Sequence, residues 1–213
     1  MAEFFFESIL NLVGFAVGII IGVFAAIGFR NTGSPTLFRL TLAFICIGLG
    51  FLIMWTGLAL DMYLYHNSEQ IGWIQTLGIA VQTLGYFFIA FSHTIKSFFP
   101  RSNYLRSVGI VPLFLISFMS IENIIRSISF ILLIYGSIET TMSYFESRRK
   151  TALFVAFGLA CLALGEFIGW YYFVFPHSIL NIVSISIKIV GLVLLFIPIT
   201  RVPLTKIKFD EKL

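Results

Sequence analysis

Charge is what this sequence has least of. Asp, Glu, Lys and Arg make up 11% of its 213 residues, where a soluble domain carries about a quarter. Mean hydropathy is +0.99. So thin a charged surface excludes an ordinary water-soluble fold. Cysteine is nearly absent too: Cys46 and Cys161 both lie inside apolar runs, with no CxxC and no partner at metal-ligand spacing. That excludes a disulfide scaffold and a zinc site, and leaves the two thiols as small packing residues. The three histidines form no HExxH and no intramembrane pair suited to haem or zinc, and neither a GxSxG nor a P-loop occurs. These absences argue against an enzyme, and no cofactor is read from the residues.

What is present is apolar sequence in long blocks. A spanning helix needs about 20 apolar residues, and such runs lie at roughly 5 to 29, 38 to 60, 71 to 95, 105 to 119, 121 to 145, 151 to 175 and 178 to 199. The fourth is short and contains Pro112, yet one helix from 105 to 145 would be about 60 Å long, twice the hydrocarbon thickness. The chain must therefore turn near Ser120 to Asn123. Glu3 and Glu7 precede the first run and the first basic residue, Arg30, follows it, the reverse of a signal peptide. The first run is an uncleaved span. Seven spans of this length use up the sequence, so no soluble domain is expected.

The net charge of +4 and pI near 9.2 would suit nucleic acid, but the basic residues sit in short loops, as membrane topology requires. Arg30 and Arg39 fall in the first loop, Lys96, Arg101 and Arg106 in the third, Arg148, Arg149 and Lys150 in the fifth, and Arg201, Lys206, Lys208 and Lys212 in the tail. The even loops hold Asp61, Glu69, Glu122 and His177, with Arg126 nearby. Odd loops inside means N-terminus out and C-terminus in. The expected setting is the plasma membrane, with the lipid bilayer as the first partner.

An internal repeat organises the spans. Cys46-Ile47-Gly48-Leu49-Gly50, with Ile53 and Trp55, aligns without a gap on Cys161-Leu162-Ala163-Leu164-Gly165, with Ile168 and Trp170. Ser8-Ile9-Leu10-Asn11 aligns on Ser120-Ile121-Glu122-Asn123. Gln75, Gln82 and Gly85 align on Asn181, Lys188 and Gly191. The expected fold class is an all-α integral membrane protein of seven transmembrane helices in a three, one, three arrangement: repeat one about 5–97, connector about 105–119, repeat two about 120–200, then a basic cytoplasmic tail, 201–213. Equivalent helices are separated by an odd number of spans, so the repeats are parallel and a ligand site is expected near mid-depth between them.

The candidate site follows from polar residues at depth. Gln75 and Gln82 share one face of the third span, and Asn181, Ser184 and Lys188 one face of the last. Glu166 and Lys188 each lie about nine residues from the outer end of their helices, about 14 Å deep. An isolated charge there costs about 2.5–3.5 kcal/mol on insertion scales. Glu166 and Lys188 are therefore expected to face inward and pair, as a binding or ion-coupling site or as a structural pair that sets helix register. Trp55, Trp170, Tyr171 and Tyr172 are candidates to wall a pocket, or to form an interfacial aromatic belt.

Other polar features have plainer readings. Glu122 and Arg126 have the spacing of an ordinary i,i+4 pair. His93 and Glu139 lie at the inner interface, where they serve as interfacial residues or as a proton-handling pair. Gly14, Gly18, Gly22 and Ala26 form a small-residue stripe that admits a close helix, in this chain or in another subunit.

A seven-helix bundle with a mid-membrane lysine in its last helix resembles a microbial rhodopsin, where that lysine carries retinal. Lys188-Ile189-Val190-Gly191 and Trp170-Tyr171-Tyr172-Phe173-Val174-Phe175-Pro176 add to the likeness. Ser184 replaces the carboxylate usual four residues before that lysine, and Gln75 and Gln82 stand where the third helix carries Arg and carboxylates. Glu166 would have to be the counter-ion. The three, one, three pattern also resembles the SWEET sugar transporters, without their Pro-Gln motifs. Neither likeness assigns a family. The functional expectations are a small-solute or ion transporter, a sensor or receptor-like module signalling to a partner chain, and a structural subunit of a membrane complex.

Overall fold

The computed structural model describes residues 2–64, 68–94, 120–148, 150–175 and 178–200. These residues form six helices: α1 (Ala2–Thr32), α2 (Pro35–Leu64), α3 (Ser68–Thr94), α4 (Ile121–Ser147), α5 (Lys150–Val174) and α6 (Ser178–Thr200). All six are long and apolar enough to cross a bilayer, which makes this a multi-pass membrane protein. The expected fourth span, 105–119, lies outside the described residues, as do residues 95–104 and the expected tail, 201–213.

Local chemistry explains the helix ends. Gly33 has φ +66, a left-handed conformation open to glycine without a Cβ penalty, and its N–H donates to Phe29 O at 2.7 Å. Pro35 then opens α2 at the first helical position, where its missing N–H costs nothing. Arg148 takes the same left-handed role between α4 and α5, its N–H donating to Tyr144 O at 2.7 Å. Both turns are short, so each reverses the chain into an antiparallel neighbour.

The six helices form a closed ring. Each packs on its neighbours in sequence, and α1 closes on α6. Two of the six contacts join parallel helices. Asn181 with Glu7, and Phe24 with Phe196, put α1 and α6 side by side in the same direction. Gln75 and Ile79 of α3 and Glu122 and Arg126 of α4 border one cavity at the starts of their helices, and Thr83 meets Ser129 further along. The ring has polarity: Glu3, Glu7, Asp61 and Glu122 gather at one end, and Arg30, Arg39, Arg148 and Lys150 at the other. Its outer faces carry exposed apolar side chains such as Ile20, Leu49, Leu84, Phe157 and Val190, the surface that lipid covers.

Lipid tails are as apolar as leucine, so close packing, not water exclusion, holds such helices together. The glycine stripe of α1 serves this purpose inside the chain. Gly14 faces the Phe51 ring, Gly18 the backbone of Gly48, and Gly22 the Ile45 side chain, all on α2. Of the two partners open to the stripe on sequence grounds, the structure selects a helix of the same chain. A Cβ at position 18 would lie 2.8 Å from Gly48 Cα and 3.2 Å from Phe44 O, atoms that cannot rotate away. Gly18→Leu is expected to cost about 1–3 kcal/mol or more by overpacking, read as a lower unfolding midpoint in detergent. Gly72→Ala, where a Cβ meets nothing within 4 Å, should leave the midpoint unchanged or raise it.

Candidate functional site

A line of ionic contacts runs from the acidic end of the ring into its centre. It begins at Glu122, one residue into α4, whose Oε1 accepts hydrogen bonds from Arg126 Nε at 3.1 Å and Nη2 at 2.9 Å. Arg126 Nη1 reaches Glu166 Oε2 on α5 at 3.5 Å. Glu166 Oε1 then meets Lys188 Nζ on α6 at 2.6 Å. Lys188 also donates across the ring to Gln82 Oε1 on α3 at 3.4 Å. Four formal charges alternate in sign and sum to zero.

Burial makes the chain of contacts consequential. The side chains of Arg126, Glu166 and Lys188 are 4%, 0% and 1% exposed. Lys188 lies ten residues into α6, about 15 Å from its start, and Glu166 eight residues from the end of α5, about 12 Å. At such depth a charge is retained only with partners. The sequence makes room for the two cations with glycine. Gly165 lies against the Lys188 stem, where a Cβ would come within 2.5 Å of Cγ, and Gly169 lies against the Arg126 guanidinium. The motif Gly165-Glu166-Phe167-Ile168-Gly169 thus presents one carboxylate between two clefts, one per cation.

The surrounding polar groups are unevenly satisfied. Ser184 donates to Gly165 O at 2.8 Å. Among the described residues, Gln82 Nε2 meets the soft Met54 sulfur, at 3.5 Å. The buried Tyr86 hydroxyl faces Glu166 electrostatically without a well-formed hydrogen bond. The Glu166 oxygens meet their cations as ion pairs, outside hydrogen-bond angles. Asn11 and Asn123 are buried, each with its carbonyl oxygen unpartnered among the described residues.

Above this centre, at the acidic end, a cavity of about 250 Å³ is lined by residues of all six helices, among them Glu7, Asp61, Gln75, Glu122, Tyr172 and Asn181. Arg126 lines it too, and so joins the cavity to the buried ion pairs. Below the centre the ring is filled by Phe44, Ile47, Ile89, Leu133, Leu159, Leu162 and Leu192. The polar site therefore has a cavity on one side and a packed apolar layer on the other.

The expected site residues separate into three groups. Gln82, Glu166, Ser184 and Lys188 come together at the centre. Gln75 and Asn181 stand one layer higher, on the cavity wall. Trp55 and Trp170 belong to neither: Trp55 Nε1 donates to Ser8 Oγ at 2.9 Å, while Trp170 stacks on Phe167 with its buried N–H unpartnered. Of the two tyrosines, Tyr172 lines the cavity and Tyr171 is exposed beside Phe175. The side chain of His93 lies outside the described residues, so its pairing with Glu139 stays an expectation.

Arg126 is the correction. Its i,i+4 contact with Glu122 is present, but this is no ordinary surface pair, because α4 turns that face toward α5 and buries it. The signal was in the sequence: Asn123, Arg126 and Ser127 recur at helical spacing, a polar face that a lipid-exposed helix would not carry. No family model, curated protein or solved structure matches this chain.

Proposed function

We propose that this protein is a small-solute or ion transporter of the plasma membrane, with two parallel three-helix repeats that rock about a central site of Gln82, Arg126, Glu166 and Lys188. The observation that carries this reading is Lys188, a buried cation that contacts Glu166 within its own half and Gln82 in the other. A group bonded to both halves is where relative motion would exchange partners. The cavity on one side and apolar packing on the other fit a site accessible from one face at a time.

The repeat is supported by contacts that recur at equivalent positions. Gly50 abuts the Gln82 stem as Gly165 abuts that of Lys188. Gly85 packs on Ala43 O and Ile47, and Gly191 on Gly158 O and Leu162. Under the same alignment Gly14, Phe51 and Gln82 of the first half stand where the second half has Arg126, Glu166 and Lys188. The halves share a frame, and one carries the charge. Seven spans, with the N-terminus outside, fit the directions of the described helices: α3 and α4 run parallel, as one further crossing between them would require, and the basic end of the ring would be the cytoplasmic one.

The test is flux in proteoliposomes, screening small cations, anions and zwitterions under gradients of either direction. Uptake or transported charge is expected in wild-type protein and absent in the double variant Glu166→Leu, Lys188→Met, which removes the central pair together. No flux for any solute from folded, monodisperse protein would overturn transport and leave a sensor or structural role.

A further inference from the structure

The cavity at the acidic end carries a charge that the central network does not compensate. Glu122, Arg126, Glu166 and Lys188 balance one another. Glu7 is left over: it is half-buried, its Oε1 accepts one hydrogen bond, from Asn181 Nδ2 at 2.5 Å, and no described lysine or arginine forms an ion pair with it. A partly buried carboxylate bordering a cavity, with a neutral amide as its hydrogen-bond donor, lacks a countercharge. Asp61, which also lines the cavity, adds to the negative potential.

The lining decides what kind of cation would supply it. Glu7, Asp61, Gln75, Glu122, Tyr172 and Asn181 bring polar groups to the lining from all six helices, while Met54, Leu58 and Ile79 add an apolar patch from α2 and α3. Among the described residues no three His, Cys, Asp or Glu side chains are placed to hold one metal ion, whereas a bare metal cation needs several oxygen ligands at once. An alkylammonium uses both kinds of surface, its charge on the carboxylate and its carbon chain on the apolar patch, and aromatic faces such as Phe4 and Tyr172 attract such heads. The volume, about 250 Å³, falls just below that of drug-sized pockets and fits a small molecule.

We infer that this cavity is a binding site for a small organic cation, a primary amine or its quaternary relative, with Glu7 as its counter-ion. The inference deepens the transport reading by naming a substrate class, and Arg126 connects the two sites. An ammonium competing for Glu122 leaves Arg126 to turn toward Glu166, which weakens the hold of Glu166 on Lys188. Occupancy of the cavity is thereby passed to the contact between the halves.

Calorimetric titration of the purified protein in detergent tests binding without any gradient. The probes are n-propylammonium and tetramethylammonium, with propanol and propionate as neutral and anionic controls at matched ionic strength. Binding of the cations alone is expected, weakened at least about tenfold by Glu7→Gln, a loss of about 1.4 kcal/mol. Glu7→Gln keeps an oxygen for Asn181 to bond, and an unchanged unfolding midpoint would certify its fold. Glu3→Gln, exposed and not among the residues that line the cavity, should bind as wild type does. Propionate binding more tightly than propylammonium, no cation binding, or equal binding by wild type and Glu7→Gln would each overturn the inference. Cation binding without flux would retain the site and overturn transport.

Discussion

Glu166→Gln is expected to destabilise the protein by about 3–5 kcal/mol, the cost of leaving a buried charge without its partner. The glutamine keeps the size of the side chain and loses the charge that both Arg126 and Lys188 face. Arg126 retains Glu122, but Lys188 is left with one long hydrogen bond to Gln82. Adding Lys188→Met should recover most of the loss, because it removes the buried ammonium that Glu166→Gln leaves without its partner. The comparison is a double-mutant cycle on unfolding in mixed micelles. A double variant no more stable than Glu166→Gln alone would mean that the two residues do not act as a pair. In flux, the same double variant should stay inactive although folded, which separates what the pair does for stability from what it does in transport.

Arg126→Met is the second large effect, and it discriminates between two readings of one residue. An exposed i,i+4 pair is worth about 0.3–0.5 kcal/mol and fades with salt. A guanidinium that is 4% exposed and bridges two carboxylates should cost about 3 kcal/mol or more when removed, with little dependence on salt. Unfolding at low and high ionic strength gives both quantities. Arg126→Lys is expected to fall between, because an ammonium lacks the planar fork that holds Glu122 through Nε and Nη2 while Nη1 reaches Glu166. A small, salt-sensitive loss for Arg126→Met would return the residue to the surface and detach the cavity from the central site.

Much of the site was legible because a membrane penalises charge by depth. Glu166 and Lys188 stand inside apolar runs too far from either end to reach water, so their inward direction and mutual pairing follow from the cost of any other arrangement. Gln82 and Ser184 were legible as members of the same helical faces. Arg126 was legible only through the polar face it shares with Asn123 and Ser127, because its own depth, one turn from the start of α4, does not force it inward. Glu7 was hidden for the same reason, and its contact with Asn181 joins residues at opposite ends of the described chain. Trp55 and Trp170 were open to pocket-wall or belt roles on sequence grounds, because equivalent positions in aligned helices show which residues match, not which way a ring rotates to meet Ser8 or Phe167.

The residues alone determined that the chain lives in a bilayer, where its helices run, and which charged side chains must turn inward, since each of these is a matter of transfer energy counted along one helix at a time. Only the tertiary structure decided that α1 closes on α6, that the glycine stripe is spent on α2, that one carboxylate serves both Arg126 and Lys188, and that Glu7 is left facing a cavity. Those outcomes depend on how six helices share space. Close packing is settled by the shapes of all the neighbours together, a quantity that no periodicity within a single span contains.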